Sequence, residues 1–164
     1  MGNKDQKLFK IRKLTARDLP QVVAIQGIIT RQKVTPEKIA VLKEHIKKEG
    51  NMSLVAVADK RVVGFLISEL MTNSFGLDQG GWIKNVGVLP PYMGKGIGQA
   101  LANQLFDAYR RKGIKEIFTA SRWDWGDLLS FFKSLGFDRS NFINLYKKLD
   151  DPSPQHSGDS EIAP

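Results

Sequence analysis

The sequence predicts a mixed α/β (α+β) domain, and three observations lead there. Apolar residues recur with a period of two in some stretches and of about 3.6 in others. Helix-starting and helix-stopping residues bracket the second kind. The two kinds interleave along the chain as βααβββαβαβ instead of forming separate blocks. Composition agrees, because 164 residues with 41% apolar and 9% aromatic content suffice for one core and are too apolar for a disordered chain.

Each element has its own signal. From Leu8 to Leu14, Phe9, Ile11 and Leu14 suit a first strand. Thr15 caps a helix over about Ala16 to Ile29, with Asp18 in its first turn and Leu19, Val22, Val23, Ile25 and Ile29 near one face. Thr35-Pro36-Glu37 starts a second, amphipathic helix carrying Ile39, Leu42 and Ile46, and Gly50 ends it. Ser53 to Ala58 and Val62 to Glu69 read as a hairpin around Asp59-Lys60-Arg61. A polar loop is expected from Met71 to Gly80, either a substrate grip or an idle connector. Then follow a strand over Trp82 to Leu89, a glycine turn over Gly94 to Gly98, a helix over Ile97 to Lys112 and a strand over Ile114 to Ala120. A short helix over Gly126 to Leu135 precedes short strands around Phe137 and over Phe142 to Lys147. The domain is expected to occupy residues 1–149, with an acidic, disordered tail at 150–164.

Charge and composition narrow the function classes. Residues 1–149 carry 25 Lys and Arg against 13 Asp and Glu, whereas the last 15 residues carry four acids and no base. Such a basic body attracts nucleic acid, acidic protein or a phosphate-rich small molecule, or is merely a solvated surface. No basic helix with interleaved aromatics is present, so nucleic acid is a minor reading. The absence of Cys removes disulfides, thiolate metal sites and cysteine nucleophiles, and fits a reducing cytoplasm. No apolar run approaches the roughly 18 residues of a membrane span, and the start of the chain resembles neither a signal peptide nor a myristoylation site. His45 on the second helix and His156 in the tail read as surface residues, and no metal is expected.

The chemistry concentrates in Val86-Gly87-Val88-Leu89-Pro90-Pro91-Tyr92-Met93-Gly94-Lys95-Gly96-Ile97-Gly98-Gln99-Ala100-Leu101, a strand feeding a glycine turn that opens a helix. Three alternate glycines admit a ligand close to the backbone, and the helix start offers unpaired N–H groups at its positive end. Lys95 adds charge. Phosphate is therefore the favoured ligand. The dinucleotide fingerprint fails at Gln99 or Leu101, and the Walker loop fails because Gly96 follows Gly94-Lys95.

Val-x-Pro-x-Tyr-x-Gly-Lys-Gly-Ile-Gly-x-x-Leu resembles the acyl-CoA signature of the GNAT family of N-acetyltransferases. The resemblance covers about residues 9–149, with Ile11 to Leu19 similar to the family's opening strand and helix and Phe131 to Phe137 similar to its late Phe-Tyr-x-Lys-x-Gly-Phe element. It implies a mostly antiparallel mixed sheet, helices on both faces, and a splayed strand pair that holds acetyl-CoA. Its pyrophosphate would lie on the N–H groups of Met93, Gly94, Lys95, Gly96, Ile97 and Gly98, and its pantetheine along Val86, Gly87 and Val88, with an N–H such as that of Val88 for the oxyanion. Two departures matter. Met93 replaces the usual Arg or Gln, and Phe132 replaces the Tyr that protonates the departing thiolate. Tyr146 or a water is the substitute acid, although Tyr146 reads more readily as a strand residue half in the core. Asp124, Asp127 and Glu69 are candidate bases; Asp127 also reads as a helix cap and Asp124 as a partner of Arg122.

The implied activity is a cytoplasmic, acetyl-CoA-dependent N-acetyltransferase acting by direct attack of an amine, on a protein Lys or N-terminus or a small molecule. A weakly catalytic acyl-CoA-binding module is the alternative. A homodimer is plausible from the resemblance.

Overall fold

The computed structural model describes residues 8–74, 76–122 and 124–150, so the expected disordered tail lies outside the described residues except at Asp150. Strand β1 (Lys10–Lys13) leads through a 3-10 turn (Ala16–Asp18) into α1 (Leu19–Thr30) and then α2 (Pro36–Ile46). Strands β2 (Leu54–Ala58), β3 (Arg61–Ser74) and β4 (Leu77–Val88) follow, then a 3-10 turn (Pro90–Tyr92), α3 (Ile97–Arg111), β5 (Ile117–Thr119) and α4 (Gly126–Ser134). The sheet runs β1-β2-β3-β4-β5, antiparallel throughout except for the parallel β4–β5 pair. This is the mixed, mostly antiparallel sheet the sequence predicts.

Helices cover both faces, which is why β2 reads Leu-Val-Ala-Val-Ala without polar alternation. On one face Leu19, Val22 and Ile25 of α1 pack on Val55, Phe65 and Ile67. On the other, Ile97, Leu101, Leu105 and Tyr109 of α3 recur every four residues and pack with Phe132 on Leu54, Ala56, Leu66 and Ile83. Asp59 and Lys60, both at positive φ (47° and 65°), make the two-residue β2–β3 turn. Thr35 caps α2 by accepting the Lys38 N–H at 3.4 Å.

Three expectations are corrected. The polar loop over Met71 to Gly80 is a hairpin instead, with Thr72 opposite Gln79 and Ser74 opposite Leu77. Its strands run past the core, where a backbone ladder continues without apolar alternation to mark it. No strand forms over 137–149, and Ile143, Leu145, Tyr146 and Leu149 are largely exposed. A three-residue β5 offers too few backbone groups to template further strands, and a groove of about 1330 Å³ lies along it where they were expected. Finally, His45 is not on the surface but buried against the sheet. Among the described residues no helix is long and apolar enough to cross a membrane.

The β1–α1 corner is fixed by one carboxylate. Asp18, 4% exposed, accepts two hydrogen bonds from the Arg12 guanidinium at 2.7 and 2.8 Å, plus the Thr15 N–H at 2.8 Å and the Thr15 hydroxyl at 2.9 Å. Burial pushes this carboxyl up, but the bonds from Arg12 and Thr15 outweigh it and hold the group below its ordinary value. A depressed folded-state value means that Asp18 stabilises the fold fully above the unfolded carboxylate range and that this stability is lost as pH falls through the folded value. We expect Asp18→Asn to cost about 2 kcal/mol at neutral pH, measured by urea unfolding, and to flatten the acid limb of stability against pH.

Candidate active site

The parallel β4–β5 ladder covers only Gly81–Ile83 against Ile117–Thr119, after which the two strands part. β3 accompanies β4 further, with Leu66 opposite Val86, Phe65 opposite Gly87 and Gly64 opposite Val88. The Leu89 N–H donates to Val63 O at 2.8 Å, so Leu89 faces β3. Antiparallel alternation then turns Gly87 toward β3 and aims the N–H and C=O groups of Val86 and Val88 away from it, into the opening. Gly87 admits no side chain, since a Cβ would lie 2.7 Å from a Phe65 ring carbon and 2.8 Å from Ile29 Cδ1.

The glycine turn lies at the end of the same strand. The Tyr92 and Met93 N–H groups are spent on Leu89 O (2.8 Å) and Pro90 O (3.2 Å). Met93 therefore brings no free N–H, contrary to the sequence-based expectation. Gly94 and Gly96 hold φ of 75° and 79°, which only glycine adopts cheaply. The first bond of α3 runs from Ala100 N–H to Gly96 O at 3.0 Å, which leaves the N–H groups of Ile97, Gly98 and Gln99 without intrahelical acceptors at the positive end of a 15-residue helix. Lys95 Nζ sits 5.3 Å from the Tyr92 ring centroid, which keeps its charge beside the turn. At Gly98 a Cβ would come 3.0 Å from the Phe131 ring, a tight contact that glycine avoids where α4 packs on α3.

The candidate acids and bases do not converge. Asp124 is exposed and gripped by Arg122 at 2.9 and 2.6 Å, and these bonds hold its carboxyl below the ordinary range. Arg122 in turn lies 5.6 Å from the Trp125 ring centroid. Asp127 is exposed in the first turn of α4 and makes no capping bond. Tyr146 is 86% exposed and belongs to no strand, which corrects its expected half-buried place. Phe132 is 4% exposed, its ring packed on Phe131 and Phe137.

A different polar group does assemble. His45 Nε2 lies 3.1 Å from Ser68 O and Nδ1 lies 3.7 Å from Glu69 Oε2, which is also 3.4 Å from Lys84 Nζ. Behind them Tyr109 donates to Glu69 O at 3.0 Å or to Ser68 Oγ at 3.2 Å, and burial pushes its phenol up, so it stays a donor. His45, Lys84 and Asn85 line a cavity of about 620 Å³ on the α1/α2 face. The legible signal was the position of His45 three residues after Leu42 and beside Ile46, on the apolar face of α2. Among the described residues no group of three or more His, Cys, Asp or Glu could hold a metal.

The comparisons accord with this geometry. The family model described as acetyltransferase (GNAT) family matches residues 19–137. No curated protein sequence matches the chain. Among solved structures, a transcriptional regulator from Bacillus halodurans is 22% identical, with a TM-score of 0.74, covering 85% of this chain and 99% of its own. An aminoglycoside acetyltransferase from an uncultured soil metagenomic sample, in complex with trehalose, is 20% identical, with a TM-score of 0.73 and coverage of 88% and 98%. An aminoglycoside N-acetyltransferase in complex with CoA is 17% identical, with a TM-score of 0.74 and coverage of 86% and 95%. With its splayed β4–β5 pair, its glycine turn and the family match over residues 19–137, the chain belongs to the GNAT family and is an N-acetyltransferase whose cosubstrate is acetyl-CoA.

Proposed function

We propose that the chain transfers the acetyl group of acetyl-CoA to a small-molecule amine in the cytoplasm. The observation that carries this reading is the continuity of two binding surfaces. The outward peptide groups of Val86 and Val88 lead directly into the free N–H groups at the turn from Gly94 to Gly98. A chain with a phosphate at one end and amide groups along its length fits both surfaces in one extended pose. Acetyl-CoA supplies the activated thioester.

The protein's part is to bind, align and neutralise charge. Gly94, Lys95, Gly96, Ile97 and Gly98 hold the pyrophosphate, through backbone N–H groups and the Lys95 ammonium. Val86 and Val88 pair with the pantetheine amides as an added strand would. The Val88 N–H faces the opening, where it can donate to the carbonyl oxygen as negative charge develops there. Phe132 donates no proton, so the thiolate leaves without help from that position. A cavity of about 620 Å³ beside Lys84 and Asn85 is large enough for a small amine. The neighbours named aminoglycoside acetyltransferases are in keeping with that class.

Calorimetric titration with acetyl-CoA, CoA and dephospho-CoA tests the cosubstrate site, and micromolar binding is expected. Weaker binding of dephospho-CoA would show that the basic surface reads the ribose phosphate. Lys95→Glu combined with Gly96→Asp places two carboxylates at the turn and should weaken CoA at least tenfold. Unchanged affinity in that folded variant would relocate the phosphate site. Phe132→Tyr should not raise kcat, because the ring is buried and packed on Phe131 and Phe137. It should instead lower stability by about 1–3 kcal/mol as a hydroxyl is buried, measured by thermal and urea unfolding.

A further inference from the structure

We infer that His45, backed by Glu69, is the group that takes the proton from the acceptor ammonium. The inference rests on the acetyl-transfer reading above. It begins from a tautomer. His45 Nε2 faces the carbonyl oxygen of Ser68 at 3.1 Å, and a carbonyl only accepts, so Nε2 carries the hydrogen and Nδ1 is the nitrogen left to take up or release a proton. Nδ1 faces Glu69 Oε2 at 3.7 Å. A proton arriving at Nδ1 therefore creates a cation set between a carboxylate and a carbonyl oxygen, which stabilise it.

The surroundings hold this pair still. The Ser68 N–H donates to Ser53 Oγ at 3.1 Å, and Tyr109 holds the same stretch of β3 from the other face. The β3–β4 register shifts at Ile67/Ser68, leaving Lys84 as the extra residue of β4, and its ammonium reaches Glu69 at 3.4 Å. Such a bulge re-aims side chains next to the strand it interrupts. Lys84 and Asn85 immediately precede the Val86–Val88 edge, and both line the cavity together with His45. The charged groups around the cavity at the imidazole are Glu44 on its own helix, Lys48 just past that helix's end, Glu69 on β3 and Lys84 on β4; among the lining residues α1 contributes the neutral Gln26.

The step balances without a further reactant. The acceptor ammonium gives one proton to His45 Nδ1, directly or through a water, and becomes a neutral amine. Its lone pair forms the C–N bond while the C–S bond breaks, and the thiolate leaves with that electron pair. The nitrogen sheds its second proton to the departing thiolate through solvent, and His45 returns its own proton to solvent.

The test compares two nucleophiles, ethanolamine, which is protonated at neutral pH, and O-methylhydroxylamine, which is not. His45→Gln should lower kcat/KM for ethanolamine by about 10²-fold and for O-methylhydroxylamine by less than about threefold, with acetyl-CoA affinity unchanged. Glu69→Gln should give a smaller loss of the same selectivity. Equal losses with both nucleophiles would make His45 structural and overturn the inference. So would an unchanged rate, or wild-type protein that binds acetyl-CoA but acetylates neither amine. Failure of wild-type protein to bind acetyl-CoA at all would instead sink the functional reading beneath it. Imidazole ¹⁵N shifts of the wild type provide a check that needs no variant: an Nε2–H tautomer is expected, and an Nδ1–H tautomer at His45 overturns the assignment.

Discussion

Strand β4 is held along its length on one edge and over only three residues on the other, and the rest of the molecule is arranged around that imbalance. β3 accompanies it from Leu77 to Val88, whereas β5 leaves it at Ile83. A strand edge with unpaired peptide groups is normally a liability that invites aggregation. Here it is short, flanked by α3, and oriented so that Val86 and Val88 present their amides where an extended ligand can pair with them. The same strand then delivers the chain to the glycine turn, so the outward amides and the N–H groups at the start of α3 follow from one backbone trajectory.

Sheet and helices make that trajectory rigid. Gly87 lets α1 and Phe65 close against β4, and Gly98 lets α4 close against the first turn of α3, each by omitting a Cβ that would crowd its neighbours. Asp18 fixes α1 to β1 through Arg12 and Thr15. The polar group around Ser68 joins the two faces of the sheet: Tyr109 reaches it from α3 and His45 from α2. Its buried polar atoms are paired, so it specifies a geometry and does not strain the core.

Much of this was legible one residue at a time. Apolar spacing placed α1, α2 and α3, and Thr35-Pro36 fixed the start of α2 to the residue. The string from Val86 to Leu101 announced a strand, a glycine turn and a helix start because glycine spacing and helix starts are local properties. The hairpin over Met71 to Gly80 was not legible, since ladder hydrogen bonds hold it and its sequence lacks apolar alternation. The last strands failed for the converse reason: Phe142 to Lys147 has strand-like composition, but a three-residue β5 gives it little edge to join.

The sequence alone determined the class of fold, the glycine turn that opens α3 and the phenyl ring at position 132, because each depends on residues adjacent in the chain. Only the tertiary structure decided which charged groups meet. Asp124 is taken by its neighbour Arg122, and Tyr146 stands in solvent. His45, 24 residues from Glu69 in sequence, is carried by α2 packing onto the sheet to within 3.7 Å of it. Proximity across such a distance comes from burying the apolar face of α2, and no local pattern encodes which polar side chain that burial brings inside.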